Sequence, residues 1–213
     1  MKIKSFVKKT IQIYLTTVTR LLWSRKVSLG YNTIMIDCKI FGNRYGEISI
    51  GDNCRLQNVR FHISKESGNK ILIGNGVNLV DTEFILRNGG DNTIIIGNYV
   101  TTGGSVQFAA CEGKTISVGE DCQFAHNIQL WTNDHHPIYS AEGRRVNPAK
   151  DIKIGKHVWI GSGCMILKGC KIDDGNVIGA RSMITKNIQE KNCIFAGSPL
   201  KKVKENIKWE RDF

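Results

Sequence analysis

Aliphatic residues recur at every sixth position over the C-terminal third of this chain. From position 154 the sequence reads IGKHVW, IGSGCM, ILKGCK, IDDGNV, IGARSM and ITKNIQ, so an aliphatic side chain opens each six-residue unit. A small or aliphatic residue usually follows four places later, as at Val158, Cys164 and Cys170. Looser units of the same form begin at positions 50, 73, 96, 118 and 124. Val118 and Ile154 are separated by a whole number of six-residue units, so the repeat stays in register between them.

A period of six fits neither an α-helix nor a simple strand, whose side chains repeat at 3.6 and 2. It fits a short strand followed by a tight turn, and three such units make one triangular coil. Stacked coils bury a continuous aliphatic column. The pattern therefore predicts an all-β, parallel β-helical solenoid over residues 31–199. An ordinary β-sandwich is disfavoured, because its strands would not keep one period across turns.

The two ends of the chain lie outside this repeat. Residues 1–30 contain no six-residue units, and their apolar residues are interspersed with lysines and arginines, which predicts a basic amphipathic helix. Residues 200–213 are also predicted to be helical and to cap the open end of the solenoid.

The charge of the chain is concentrated at its beginning. Of a formal net charge of +11 over 213 residues, seven positive charges fall in residues 1–30, which contain no Asp or Glu. We expect residues 1–26 to contact an anionic membrane surface, or to pack on the first coil or a neighbouring subunit. No nucleic-acid-binding motif accompanies the charge, so no nucleic-acid partner is expected.

Targeting and cysteine signals favour the cytoplasm. No run of about 18 apolar residues predicts a membrane span, and the N-terminus does not read as a signal peptide. The seven cysteines include no Cys-x-x-Cys pair, which argues against a disulfide framework and a zinc ribbon. Cys54, Cys122, Cys164 and Cys170 take the fifth position of a unit, where we expect reduced core thiols. We therefore expect a cytoplasmic protein, either free or peripheral at the inner face of the membrane.

The stretch from 131 to 151 interrupts the visible pattern and contains His135 and His136. A loop projecting from a rigid scaffold is a frequent place for chemistry, and an imidazole is a natural base near neutral pH. Trp159 ends its six-residue unit and is predicted to point outward, where it needs a cover. Ser162 and Ala180 stand eighteen residues apart, one full coil, and are predicted to stack.

Four segments resemble the hexapeptide-repeat acyltransferases, and among them the sugar and capsular-polysaccharide O-acetyltransferases. They are NIQLWTNDHHPIY at 127–139, NPAKDIKIGKHVWIGSGCMILKGCKI at 147–172, IGARSMITKNI at 178–188 and AGSPLKKVK at 196–204. The His-Pro pair, the VWIG, the IGA…TK and the AGxP occur in the order found in that family. The first thirty residues are not covered.

The resemblance implies a left-handed β-helix, a homotrimer and an acetyl-CoA site between neighbouring coils. It places the general base at His136, whereas a looser match to the galactoside acetyltransferases places it at His135. The Ser162 N–H is implied as the oxyanion donor, and Asp134 or Glu112 are candidates to orient the imidazole. The implied cofactor-binding positions are Trp159, Ser162, Ala180, Thr185, Lys186, Lys201 and Lys204. Trp159 could instead pack at a trimer interface, and the three lysines at 201, 202 and 204 could form a solvated face.

Together with the resemblance, these features predict an acetyl-CoA-dependent O-acetyltransferase of a sugar hydroxyl in a surface polysaccharide or its precursor. Two alternatives stay open: N-acetylation of an amino sugar, and an inactive solenoid that serves as a binding scaffold. A zinc site built from His62, His126 and His157 is disfavoured by their spacing, so no metal is expected. The acceptor pocket is expected among the loops at 87–92, 103–113 and 131–151.

Overall fold

All regular structure in the computed structural model, which describes residues 27–42 and 46–211, is β-strand. The strands up to residue 131 are β1 Val27–Leu29, β2 Ile34–Ile36, β3 Lys39–Gly42, β4 Glu47–Ile50, β5 Arg55–Gln57, β6 Arg60–Ile63, β7 Lys70–Ile73, β8 Asn78–Val80, β9 Thr82–Arg87, β10 Thr93–Ile96, β11 Thr101–Cys111, β12 Thr115–Val118 and β13 Gln123–Trp131. Those that follow are β14 Ile152–Ile154, β15 Trp159–Ile160, β16 Met165–Ile166, β17 Lys171–Ile172, β18 Val177–Ile178, β19 Met183–Ile184, β20 Ile194–Ala196 and β21 Lys201–Lys204.

The strands stack into the three faces of a prism. The first face is β1-β4-β7-β10-β12-β14-β17, and parallel pairs link its neighbours. The second face runs β2-β5-β8-β11-β13-β15-β18-β20, and the third runs β3-β6-β9-β11-β13-β16-β19. Strands β11 and β13 contribute to both, because each continues from the second face onto the third. The predicted all-β parallel solenoid is confirmed.

The three corners of the prism are named by the faces they join. The first corner joins the first face to the second, and the second corner joins the second face to the third. The third corner returns the chain from the third face to the first face of the next turn. Residues 64–69, 88–92 and 132–151 all lie at this third corner.

The sixfold repeat places its aliphatic residues on successive faces of one turn. Ile154, Ile160 and Ile166 lie in β14, β15 and β16 and are at most 2% exposed. Each pairs with the residue eighteen positions later, Ile154 with Ile172 and Ile166 with Ile184. The repeat therefore builds a continuous aliphatic column inside the prism, as predicted.

Aromatic side chains fill the same interior in the earlier turns. Phe61, Phe84 and Phe108 are fully buried on the third face, with ring centroids 5.3 and 5.5 Å apart and nearly parallel planes. Phe124 meets Phe108 edge-on at 5.4 Å. This column occupies the inner positions of the third face that Ile166 and Ile184 take later in the chain.

The four cysteines expected in the core are buried there. Cys54, Cys122, Cys164 and Cys170 are each at most 2% exposed. Burial raises the pKa of Cys122 to about 12 and that of Cys170 to about 11, so both are protonated thiols at neutral pH. They act as small apolar residues.

The solenoid begins earlier in the chain than the sequence analysis predicted. β1 begins at Val27 and pairs with β4, so the solenoid starts within the segment 1–30 that the sequence assigned to an appendage. The helix predicted over residues 1–30 is wrong at residues 27–29, which are strand, and residues 1–26 lie outside the described residues. Within the described ranges, no helix is long and apolar enough to cross a membrane.

The helix predicted for residues 200–213 is wrong. Residues 201–204 form β21, which pairs antiparallel with β20, and residues 205–211 continue without helix. The last turn of a solenoid exposes strand edges with unpaired N–H and C=O groups, and a strand satisfies the edge of β20 directly where a helix would not. The first part of the segment therefore covers the edge of β20 as a strand.

Candidate active site

The histidine loop, residues 132–151, leaves the third corner after β13 and returns to β14. Most of it is exposed, and a short antiparallel bridge joins Tyr139 to Arg145 near its tip. The two ends of the loop are joined to each other and to the solenoid, because the Lys150 N–H donates to the Thr132 carbonyl and the Thr132 hydroxyl donates to the Cys111 carbonyl. A rigid support therefore carries the projecting arm.

A buried asparagine fixes the backbone around the histidines. Asn147 is 8% exposed, and its amide nitrogen donates to the carbonyl of His136 at 2.8 Å and to the carboxylate of Asp134 at 2.9 Å. Its amide oxygen accepts the N–H of Ile138 at 2.6 Å. The Asn147 side chain thus joins the outgoing and returning segments of the loop. The sequence analysis missed this role.

The two histidines differ in what they touch. The His135 ring packs on Trp131 with centroids 4.0 Å apart, and its backbone has a φ of 66°. The His136 side chain is exposed, and its imidazole makes no hydrogen bond or ion pair with any residue in the described ranges. Both side chains are exposed, and among the described residues only His135 has a ring contact.

The two carboxylates considered as orienting groups have other partners. Glu112 accepts a bidentate ion pair from Arg145 at 2.6 and 2.9 Å and a hydrogen bond from Asn133 at 3.1 Å. The Arg145 hydrogen bond is the main reason that the pKa of Glu112 lies below its usual value. Burial alone would raise the pKa of Asp134, but hydrogen bonds from Lys168 and Asn147 outweigh it and lower that pKa. Glu112 and Lys168 therefore brace the loop from neighbouring turns, through Arg145 and Asp134 of the loop.

Ser162 and Ala180 lie at the second corner in consecutive turns, as the eighteen-residue spacing predicted. The Ser162 carbonyl accepts the Arg181 N–H at 2.7 Å, and the Ser162 hydroxyl lies 3.4 Å from the N–H of His126. Across the described part of the chain, the backbone N–H groups of Ser162 and Ala180 have no hydrogen-bond acceptor. Two unpaired donors on one edge can bind an oxyanion or an amide carbonyl.

Trp159 is on the outer surface of the second face and is 41% exposed. The C-terminal tail partly covers it, since Trp209 lies 6.0 Å from its ring and stacks on His157 at 4.0 Å. Beyond Trp209, the Arg211 guanidinium binds Asp121 at 2.9 Å and the Tyr99 carbonyl at 3.0 Å. This return of the tail across earlier turns had no sequence signal beyond the aromatic residue itself.

Thr185, Lys186, Lys201 and Lys204 are the last four of the predicted cofactor-binding residues, at the positions expected to bind the nucleotide part of the cofactor. Two of these four residues line one cavity. Lys186 and Lys201 line a space of about 670 Å³ at the end of the solenoid, whereas Thr185 and Lys204 are exposed outside it. Neither Lys186 nor Lys201 has an ion-pair partner among residues 27–42 and 46–211. Lys202 differs, because Glu190 and Glu205 hold it and raise its pKa. Lys186 and Lys201 are therefore available to phosphate groups.

One chain does not bring these two parts together. His136 projects from the third corner, whereas Ser162 lies at the second corner, across the third face. About five extended residues separate the corners, which is ~16 Å at the rise of a strand. His136 and the Ser162 N–H, the predicted base and oxyanion donor, therefore belong to different corners of one chain.

No metal-binding cluster occurs in the described part of the chain, where no three His, Cys, Asp or Glu side chains converge. The histidines considered for zinc are engaged separately. His62 stacks on Phe41 at 4.8 Å, and His157 lies between Asp121 and the Trp209 carbonyl.

Comparisons with known proteins agree with this architecture. The family model "Bacterial transferase hexapeptide (six repeats)" matches residues 151–186. The polysialic acid O-acetyltransferase of Neisseria meningitidis is 38% identical over 112 residues, 52% of each chain. That of Escherichia coli O1:K1 / APEC is 37% identical over 97 residues, which cover 45% of this chain and 31% of the relative. The matched part thus spans about half or less of these curated relatives.

A solved structure extends the likeness to nearly the whole chain. The polysialic acid O-acetyltransferase OatWY superposes with a TM-score of 0.81 at 32% identity, covering 89% of this chain and 90% of that one. The polySia-specific acetyltransferase NeuO superposes with a TM-score of 0.55 at 26% identity, covering 88% and 90%. The chain belongs to the hexapeptide-repeat acetyltransferase family.

Proposed function

We propose that this protein is an acetyl-CoA-dependent O-acetyltransferase that acetylates a sugar hydroxyl of a surface polysaccharide or its precursor. The observation that carries the proposal is the exposed, unpaired imidazole of His136 on a loop pinned by Asn147. The likeness to OatWY over 89% of the chain supports the same reaction class. The unpaired N–H groups at the second corner and the lysine-lined cavity at the solenoid end fit a thioester and its nucleotide.

The chemical difficulty lies in the acceptor hydroxyl, which is not acidic enough to ionise at neutral pH. In the proposed reaction, His136 removes the hydroxyl proton as the oxygen attacks the thioester carbonyl. The N–H of Ser162 donates to the carbonyl oxygen as negative charge develops there. The C–S bond then breaks, and the imidazolium returns the proton to the departing sulfur. Acetyl-CoA supplies the activated acetyl group, and no covalent intermediate on the protein is needed.

The separation of the two corners supports a shared site. We propose a homotrimer in which His136 of one copy approaches Ser162 of its neighbour. In that arrangement Trp159 and Ala180 border the thioester arm, and Lys186 and Lys201 bind its phosphates, with Thr185 and Lys204 at the edge. Analytical ultracentrifugation of the full chain tests this: a monomer at micromolar concentration would leave each site without its base.

The central test removes the imidazole. His136→Ala is expected to lower turnover by about 10² or more, because a positioned base contributes about 10²–10⁴-fold. Acetyl-CoA binding, measured by calorimetry, should stay within twofold of the wild type. His135→Ala is the matched control and should retain most of the turnover, since that ring packs on Trp131. Near-normal turnover of His136→Ala would remove His136 from the role, and absence of binding heat in the wild type would favour an inactive scaffold.

The basic segment 1–26 is proposed to hold the enzyme at the cytoplasmic face of the membrane. Its seven positive charges are unbalanced by any acidic residue. Basic residues near an anionic surface contribute about 1 kcal/mol each. Deletion of residues 1–26 should abolish sedimentation with anionic vesicles while leaving turnover on a soluble acceptor unchanged. Unchanged sedimentation would contradict the proposal.

A further inference from the structure

A groove of about 450 Å³ runs along the second corner on the N-terminal side of Ser162. One wall comes from the corner itself, where four successive turns each supply a polar residue in the left-handed conformation: Asn58, Asp81, Ser105 and Asn127. The opposite wall comes from the outer surface of the third face. Its residues pair in register across the same four turns and are Arg60, Glu83, Gln107 and Gln129. Val106 is the one apolar residue that lines the groove among the described residues.

Hydrogen bonds fix the orientation of the third-face wall. Glu83 accepts from Arg60 at 3.3 Å with one carboxylate oxygen and from Gln107 at 2.9 Å with the other. Gln107 in turn accepts from Gln129 at 3.3 Å. On the corner wall, Asn58 donates to Asp81 at 2.6 Å. The side chains are therefore ordered before any ligand binds, which lowers the entropic cost of binding.

The groups that remain unused are a mixture of donors and acceptors. They include the Ser105 hydroxyl, the Asn127 amide, the second oxygen of Asp81 and the amide oxygen of Gln129. A ligand that matches this surface must both donate and accept at close intervals, and a sugar hydroxyl does both. Because neighbouring strands lie about 4.8 Å apart, four turns span ~15 Å, the length of about three sugar units.

The charge of the groove selects among glycans. It holds one guanidinium, on Arg60, and two carboxylates, on Asp81 and Glu83, so its formal charge is −1. The positive excess of the chain lies elsewhere, since seven of the eleven charges belong to residues 1–26. A polyanionic chain would place its carboxylates against those of the groove, and like charges at close range disfavour binding.

We infer that this groove binds an uncharged polysaccharide chain and leads its acceptor hydroxyl to Ser162. The direction follows from the fold, because Gly163, beside Ser162, takes the corresponding left-handed corner position in the next turn. The inference rests on the proposed O-acetyltransfer and specifies its acceptor class. It separates this protein from the relatives whose names specify polysialic acid.

The test uses the full chain with radiolabelled acetyl-CoA. Neutral oligosaccharides of glucose, galactose and N-acetylglucosamine are offered separately, with polysialic acid as the polyanionic probe. The inference expects label in a neutral glycan with a kcat/KM at least tenfold above that for polysialic acid. Preferential labelling of polysialic acid would overturn the inference and leave the proposed function standing. No label in any acceptor would overturn both.

Two variants test the groove itself. Gln107→Ala removes the side chain that orients Glu83 and Gln129, and it should raise the KM for the neutral acceptor about fivefold, with kcat and the KM for acetyl-CoA within twofold. The double variant Asp81→Asn/Glu83→Gln changes the formal charge from −1 to +1 and should raise kcat/KM for polysialic acid about tenfold. Glu47→Gln, an exposed carboxylate on the first face, is the matched control and should change neither value.

Each negative result has one meaning. If Gln107→Ala leaves the acceptor KM unchanged, the glycan does not lie in the groove. If Gln107→Ala instead alters the sedimentation coefficient of the full chain, the groove is a subunit contact and the inference is wrong. If the double variant gains no activity on polysialic acid relative to Glu47→Gln, the charge of the groove does not select the acceptor.

Discussion

The turns before the histidine loop are longer than the turns after it, although both use the same three faces. Ile48 pairs with Ile71, and Ile71 with Ile94, partners 23 residues apart, whereas Ile154 pairs with Ile172, only 18 residues on. The surplus lies on the third face and at the third corner. Eleven residues separate Phe61 from Ile73, against five between Ile166 and Ile172, which takes the place of Ile73 in its own turn. We call these the wide turns and the narrow turns.

The two kinds of turn close the prism by different means. In a narrow turn, aliphatic residues fill the interior, and at the third corner a short bend places the Cys170 N–H 3.3 Å from the Leu167 carbonyl. The wide turns need larger side chains inside, which Phe61, Phe84 and Phe108 supply. A strict six-residue period is therefore one way to build this solenoid, and coordinated enlargement of core and corner is another.

Buried amides hold the wide third corner. Asn92 donates to the side-chain oxygen of Asn69 at 2.9 Å and to the Gly89 carbonyl at 2.7 Å, and it accepts the Gly113 N–H at 2.9 Å. The histidine loop arises from this same corner two turns after Asn92, since residues 112–114 form the corner in between. The widening thus creates a polar, hydrogen-bonded platform, and the candidate base stands on its largest extension.

The largest expected effect comes from emptying the core of the wide turns. Phe84→Ala should lower the free energy of unfolding by about 3–5 kcal/mol, because the cavity lies between two stacked rings that cannot close it. Urea unfolding measures the loss, and hydrogen exchange locates it. Protection should fall in β6, β9 and β11 more than in β17 and β18, since a solenoid transmits strain mainly to neighbouring turns.

Phe84→Leu is the matched control for that cavity. It keeps most of the buried volume and should cost less than half as much as Phe84→Ala. A loss below about 1 kcal/mol for Phe84→Ala would mean that the aromatic column does not hold the wide turns together. Uniform loss of protection along the whole solenoid would contradict the separation into two kinds of turn.

The narrow turns could be predicted from sequence almost completely, and the wide turns only in outline. Ile154, Ile160 and Ile166 report their faces directly, because a fixed period leaves one geometry. In the wide turns the insertions shift the phase, so the pairing of Phe61 with Phe84 is not visible in the spacing. The C-terminal strand was missed for a related reason: Lys201–Lys204 becomes a strand only because β20 offers an unpaired edge.

The residues of the candidate site also fall into a predictable and an unpredictable group. The positions of His136, Trp159, Ser162 and Ala180 could be read from a loop, an outward position and an eighteen-residue spacing. The support of His136 could not, since Asn147 and Arg145 act through contacts that depend on how the loop folds back. Side chains fixed by the repeat are predictable, and side chains fixed by a non-repetitive loop are not.

A smaller effect is expected from the ionic brace between the wide corner and the loop. The pKa of Glu112 lies below its ordinary value because Arg145 hydrogen-bonds its ionised form. A carboxyl group with a lowered folded pKa stabilises the native state above its unfolded pKa, near 4.5, and this contribution is lost as pH falls through the lowered folded value. Arg145→Gln returns the pKa of Glu112 toward its ordinary value, so loop protection should be lower near neutral pH and should depend less on pH below 4.5.

Loop protection should fall only modestly, because both side chains are partly exposed and solvent screens the ion pair, and kcat near neutral pH should fall about fivefold in Arg145→Gln. Hydrogen exchange of residues 132–151 against pH measures the first effect, and steady-state kinetics the second. Arg144→Gln is the control, since Arg144 has no ion-pair partner among the described residues. An identical acid limb in both variants would show that the brace does not hold the loop.

The smallest effect is expected from lengthening a corner that is already wide. Gly-Ser inserted between Lys65 and Glu66, both exposed, should cost less than about 1 kcal/mol, because a longer surface loop adds only a small closure entropy. The same insertion between Lys168 and Gly169 separates Lys168 from Asp134 and interrupts the bond from the Gly169 N–H to the Asp151 carbonyl. It should cost about 2–3 kcal/mol by urea unfolding, because it leaves partly buried polar groups unpaired. Equal losses at the two sites would show that wide and narrow corners tolerate length alike, and the distinction would then describe core size alone.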